Sequence, residues 1–225
     1  MKKISILVAA LLVSFAASAT HAAPVSYSFG GVTSTGMGAI AAGTSFIGTF
    51  SYDPSVTGVT SHYYNVGATQ TLFANAFSAL TLTIGGDTVT GGAPGTLALY
   101  NNSLADGALH GVATGDSLWT YGYNVLPLPS AGSLAGLSPI GISLGLIDRT
   151  ATAFNPGLNP VLLPSSLSPS SFTSGEIRVY TTGVVYTSYL SSLAPIAAVP
   201  EPETYALMLA GLGLVGLVAR RKRAN

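Results

Sequence analysis

Few residues in this chain can do chemistry, and their order along the sequence argues against most reactions. Gly141-Ile142-Ser143-Leu144-Gly145 fits G-x-S-x-G, the nucleophile elbow of serine hydrolases. That elbow joins a strand to a helix and needs an acid and then a histidine downstream. Here the last histidine is His110, upstream of Ser143, and no helical pattern follows, so the match reads as chance in a Gly- and Ser-rich chain. His62 and His110 form neither H-x-H nor H-E-x-x-H, which leaves a zinc ion almost without ligands. Asp87, Asp106 and Asp116 carry hard oxygens suited to Ca²⁺, but no D-x-D-x-D loop is present and each reads as a turn cap. Carboxylates for glycoside hydrolysis would have to come from a thin, scattered supply of acids. Two aromatic sets suit sugar stacking, Tyr63-Tyr64 beside His62 and the trio Trp119, Tyr121 and Tyr123; the structural reading of both is core or edge packing. Cysteine is absent, which removes disulfides, Cys–zinc sites, a thiol nucleophile and a lipoprotein anchor. No phosphate loop or cofactor motif appears in the body, so no cofactor, metal or catalytic residue is expected.

The elements that would position these residues have period 2. Val25, Tyr27 and Phe29 alternate with Ser, and Phe46, Gly48, Phe50 and Tyr52 alternate with small or hydroxyl residues up to Asp53-Pro54. Leu80, Leu82 and Ile84 run into Gly85-Gly86 and then Asp87-Thr88-Val89, a hairpin signal. Trp119, Tyr121, Tyr123 and Val125 line one face of a further strand, and Ile142, Leu144 and Leu146 one face of the next. Ile177 and Val179 continue the pattern, and Val184 to Tyr189 follows a Thr-Gly turn. Thr150 to Ser174 reads as a long loop or edge wrapping. Short strands punctuated by Gly and Pro predict one all-β domain over residues 23–190, a β-sandwich or jelly roll.

Positive charge is concentrated at the ends. Of eight Lys and Arg, all but Arg149 and Arg178 lie in the first three or last six residues. Against Asp53, Asp87, Asp106, Asp116, Asp148 and Glu176 these two leave the body at a formal charge of −4, although the whole chain balances at zero. Two cations cannot neutralise a phosphate backbone, so nucleic acid is excluded as a partner. Ser, Thr, Asn and Gly must supply the solvated surface, as suits an extracellular and glycosylated protein.

Lys2 and Lys3, an apolar run from Ile4 to Ala17 and small residues after it have the form of a secretory signal peptide over residues 1–22. Thr20 and Ala22 place the cut after Ala22, with a second choice after Ala19, and imply passage through the Sec translocon. Residues 191–198 read as a spacer. Beyond it, Pro200, Glu201 and Pro202 hold off helix until the second proline, whose fixed φ suits a first helical turn. An uncharged run follows to Ala219, and 203–219 is expected to be a transmembrane helix. Its uncharged stretch from Tyr205 spans about 22 Å against a hydrocarbon core of about 30 Å, so it needs snorkelling by Arg220, Arg221, Lys222 and Arg223. Those four cations form a stop that stays cytoplasmic. Gly211, Gly213 and Gly216 spell G-x-G-x-x-G, but too little chain follows for a βαβ unit. Ala206, Ala210 and Gly213 form a small-residue face for helix self-association.

The three ordered features of residues 199–223 resemble the C-terminal sorting signal of PEP-CTERM proteins, which Gram-negative bacteria export, often alongside exopolysaccharide. The resemblance covers 25 of 225 residues. It implies an exosortase, an integral-membrane cysteine peptidase, as processing enzyme, recognising Pro200, Glu201 and Pro202. Gly43 to Pro54 also resembles a strand-and-turn stretch near the start of many PEP-CTERM bodies, and reads as structural. The expectation is a non-catalytic surface or extracellular-matrix protein associated with exopolysaccharide. Its tail anchors it transiently in the inner membrane with the body periplasmic, before release to the cell surface or beyond. A carbohydrate-binding module is the second reading and a glycan-active hydrolase the third.

Overall fold

The computed structural model describes residues 23–62, 68–92, 94–103, 115–121, 127–134, 136–154, 163–164, 167–197, 208–213, 215 and 220. It separates into two compact units, Met1–Pro195 and Ile196–Asn225. The expected signal peptide, Ala22 included, lies outside the described residues.

Alternation becomes pairing in the first unit. β1 (Val25–Val32) and β2 (Ser45–Tyr52) run antiparallel over their full lengths, from Val25 opposite Tyr52 to Val32 opposite Ser45. Tyr27, Phe29, Phe46, Phe50 and Tyr52 are buried, while Ser and Thr between them face outward. β3 (Val59–His62) pairs with the start of β4 (Thr69–Ile84), and β4 turns into β5 (Asp87–Gly91). Gly85 and Gly86 take φ of 61° and 95°, the left-handed values that a two-residue type I′ hairpin turn requires at both positions. There follow β6 (Gly95–Ser103), β7 (Gly115–Tyr121), β8 (Leu128–Gly132), β9 (Gly141–Asp148), β10 (Ser174–Thr181) and β11 (Val184–Ile196).

Two strands close the sheet on itself. β4 carries β3 and then β2 along one edge, and β6 and then β5 along the other. Its β6 register slips between Phe73 and Phe77, where Asn75 takes φ of 62°, so the strand bends as it changes partners. β9 takes β10 on one edge, and β8 and then β7 on the other. Two routes therefore lead from β4 to β9, through β5 and β8 or through β6 and β7. With β10, β11, β1 and β2 each completes an eight-stranded barrel. The expected all-β class holds. In place of the expected sandwich or jelly roll there is a ring, because β4 and β9 are each paired on both edges. The last strand also runs to Ile196, six residues into the stretch read as spacer.

Side chains fill the ring, as a barrel of this strand number permits. Tyr27, Phe50 and Tyr52 stack with centroids 5.1 to 6.5 Å apart. The Tyr27 hydroxyl donates to the Leu167 carbonyl at 3.1 Å and accepts from the Leu167 N–H at 2.5 Å. Tyr52 donates to the Pro164 carbonyl at 2.9 Å, so both phenols tie buried Leu163 and Leu167 to one end of the barrel. Burial, with Tyr27 beside it, pushes the Tyr52 phenol up and keeps it a neutral donor. Gly48 interrupts the aromatic row because a Cβ there would run into the Phe29 ring and the Thr81 carbonyl.

Candidate functional site

The outer face of β7, β9 and β10 gathers the body's chemically capable side chains. Ser117, Trp119 and Tyr121 alternate outward on β7, and register sets Trp119 opposite Gly145 of β9. Gly145 in turn faces Glu176 of β10, and Ser143 faces Arg178. The Arg178 guanidinium lies 4.4 Å from the Trp119 ring centroid, and its Nη2 is 2.5 Å from Glu176 Oε1. That approach is a charge contact without regular hydrogen-bond geometry. The Glu176 side chain is 3% exposed, and Arg178 is its ion partner. Burial acts to lower the Arg178 pKa, but the Glu176 charge and a bond to Tyr180 outweigh it and hold the cation above its ordinary value.

This geometry explains the G-x-S-x-G match. Gly141, Ser143 and Gly145 are the outward positions of β9, a strand buried on both faces. They are small because Trp119, Arg178 and Tyr180 lie over them: a Cβ on Gly145 would collide with the indole. Ser143 is fully buried in mid-strand, with Oγ 3.3 Å from the Tyr180 hydroxyl, and neither elbow nor histidine partner is present there. The motif is a packing floor. Trp119 is 3% exposed, so protein occupies its faces, and its indole N–H donates to Ser117 Oγ at 3.1 Å. Tyr121 stacks beside it at 6.3 Å. Tyr123 lies outside the described residues, as do Tyr63, Tyr64, Asp106 and His110.

Asp116 and Asp148 face each other across β7 and β9 at one end of the barrel, and both are buried. Their oxygens are committed to backbone. Asp148 accepts from the N–H groups of Thr150, Thr152 and Ala153 at 2.7 to 2.9 Å and from both threonine hydroxyls. Asp116 accepts from Asn102 N–H at 2.9 Å and Phe154 N–H at 3.0 Å. The pair splits in acidity. Burial, seconded by the Asp148 charge, pushes Asp116 up in spite of its backbone donors. Burial works against Asp148 too, but its hydrogen bonds together win and hold it below the ordinary carboxylate value. Two carboxylates wrapped in N–H donors shape the 149–154 loop and present no open face to a glycosidic bond. Asp53 caps a turn, its Oδ1 accepting from the Ser55 N–H and hydroxyl. Asp87 opens β5, and His62 closes β3. Among the described residues no group of three His, Asp or Glu side chains could hold a metal ion.

Sequence reasoning missed the Trp119–Arg178–Glu176 cluster. A signal was available: one of the body's two cations stands two residues from its single glutamate, on the same face of an alternating strand.

In the second unit, residues 208–213 are helical, and Met208, Leu209 and Leu212 expose more than half of their surface. Arg220 is helical and exposed. Pro200, Glu201, Pro202, Arg221, Lys222 and Arg223 lie outside the described residues, as does most of the expected 203–219 span. Among the described residues no helix is long and apolar enough to cross a membrane.

No curated protein and no solved structure matches the chain. One family model does, the PEP-CTERM protein-sorting motif, over residues 198–223. The chain therefore carries a PEP-CTERM protein-sorting motif, and that motif indicates an exported protein targeted to an exosortase.

Proposed function

We propose that this protein is a non-catalytic component of the cell surface or extracellular matrix, processed at Pro200-Glu201-Pro202 and associated with exopolysaccharide once released. A signal peptide cut after Ala22 feeds the chain to the Sec translocon. The 203–219 helix and the Arg220–Arg223 stop then hold the body on the periplasmic side until the exosortase acts. The observation that carries this reading is the sorting motif at residues 198–223. The body supports it: Asp116, Asp148 and Glu176 are buried and engaged in holding loops and strands together. A sugar platform on Trp119 is not favoured, since that ring is covered.

Mass spectrometry of both ends of the mature protein tests the route. A mature N-terminus at Ala23 and loss of residues beyond the Pro-Glu-Pro are expected; intact ends would sink it. Affinity electrophoresis through gels containing the producer's own polysaccharide tests the destination, with retarded migration expected.

A further inference from the structure

The sorting signal begins one residue after the barrel ends. β11, the strand that closes the ring between β10 and β1, runs to Ile196, and the matched motif starts at residue 198. Three residues therefore separate the end of a folded wall from Pro200, a reach of at most about 14 Å of extended chain from Ile196. A peptidase embedded in a membrane would have to act on a segment held that close to a rigid body.

The second half of β11 is held differently from the first. Pairing with β10 stops at Tyr189, opposite Glu176, so beyond that point β11 has β1 alone as its strand neighbour. Side-chain ties to β1 in this region are long: Ser191 Oγ to the Gly30 carbonyl and Ser28 Oγ to the Ala194 carbonyl are both 3.4 Å. Pro195 has no N–H to give the ladder. From Ser191 to Ile196 only Leu193 is even partly buried. Where β10 and β11 part, a cleft of about 180 Å³ opens, lined by Leu146, Phe172, Leu190 and Leu193. Release of this stretch would part β11 from β1, but it would leave β11 paired to β10 through Val184–Tyr189 and β10 paired to β9 along its length.

We propose that residues 190–196 form a releasable strap. The strap peels from β1 to present the sorting signal for cleavage, then docks again to complete the barrel. Peeling adds seven residues, about 24 Å of reach, and opens the ring at the β11–β1 seam alone. This inference rests on the exosortase reading, and the test separates the two.

The lock is a disulfide between Gly30→Cys and Ser192→Cys. A Cβ on Gly30 would stand 3.0 Å from Ser192 Oγ, about the span between a Cβ and the far sulfur of a disulfide. The chain has no cysteine of its own to compete. Processing is followed in the producing cell by the mobility and mass of the full chain, with and without dithiothreitol in the medium. The wild type and both single-cysteine variants should be processed, whereas the oxidised double variant should accumulate as precursor at least tenfold and recover on reduction. An eight-residue Gly-Ser insertion after Ala197 should restore processing of the locked protein without reduction. Wild-type processing of the locked variant overturns the strap. So does failure of the insertion to rescue, which would mean that the lock acts by misfolding rather than by reach. If the wild type itself is not processed, the exosortase reading falls first.

Discussion

The two sides of the barrel wall are built from different chemistry. Along β1, β2, the second half of β4 and β5, apolar side chains point in and hydroxyls point out. Ser28 stands opposite Thr49, Thr49 opposite Thr81, and Thr81 opposite Thr90, a row that crosses four strands. Neighbouring hydroxyls bond at 2.8 Å, as in Thr49–Thr81 and Thr83–Thr88. β1, β2 and β4 contain no charged residue. Along β7, β9 and β10 the outer face is a second interior. Trp119, Ile147, Ala98 and Tyr100 form their own buried cluster, and Glu176 is enclosed on that face with it, while Asp116 and Asp148 are buried on the opposite face at one end of the barrel. A polar residue in a strand thus meets opposite fates in this fold, depending on what lies over the sheet.

That contrast is most exposed to attack at Trp119. Trp119→Ala should cost about 4 kcal/mol, because a filled cluster loses its largest member, whereas Ile47→Ala on the hydroxyl side should cost under about 0.5 kcal/mol. Urea unfolding of the purified protein measures both, and equal small losses would mean that the second interior carries no weight. Next comes Asp148→Ala, expected to cost about 3 kcal/mol by orphaning three part-buried N–H donors at once. Its pH dependence sharpens the point. The Asp148 pKa is held below its ordinary 3.8, so its stabilisation is present above that value and lost as pH falls through the folded value. Asp116, raised in the folded state, has the opposite sign: its contribution is present at low pH and lost as pH rises through its folded value. Unfolding midpoints between pH 6 and 2.5 should therefore fall less steeply in Asp148→Ala than in the wild type.

A smaller effect is expected at the ion pair. Arg178→Met should cost roughly 2 kcal/mol by leaving Glu176 buried without its cation, and adding Glu176→Gln should return part of that loss. A double variant worse than the single one would mean that the guanidinium matters for packing on Trp119 more than for charge. The least effect belongs to Thr49→Val combined with Thr81→Val. Removing two outward hydroxyls that bond each other should shift stability by under about 0.5 kcal/mol. A loss above about 1.5 kcal/mol would show that the hydroxyl ladder holds the sheet together, and the contrast between the sides would fail.

Legibility in the sequence follows the same division. Strands with one wet face could be read, because alternation marks them: Tyr27 and Phe29, Phe46 to Tyr52, and the Leu80–Ile84 hairpin through Gly85-Gly86 all lie where the pattern put them. β6 escaped notice, since Leu97, Ala98, Leu99 and Tyr100 are all buried and no alternation survives. The first half of β4 escaped too, where bulged Asn75 breaks the period. At the site, the absence of a hydrolase context around Ser143 could be read from the order of residues alone. That it belongs to a floor for Trp119 could not, because the partners lie on β7 and β10.

The amino-acid sequence by itself determined where this protein is sent and what kind of backbone its body uses. Both are one-dimensional messages: an ordered tripeptide, an apolar run and a cationic stop, and a period of two. Only the tertiary structure decided that the strands close into a barrel, which polar residues are enclosed, and how far along the chain the last strand runs. Those outcomes depend on which edges pair and which faces are covered. Contacts between residues distant in the chain settle both, and no local pattern of residue types encodes them.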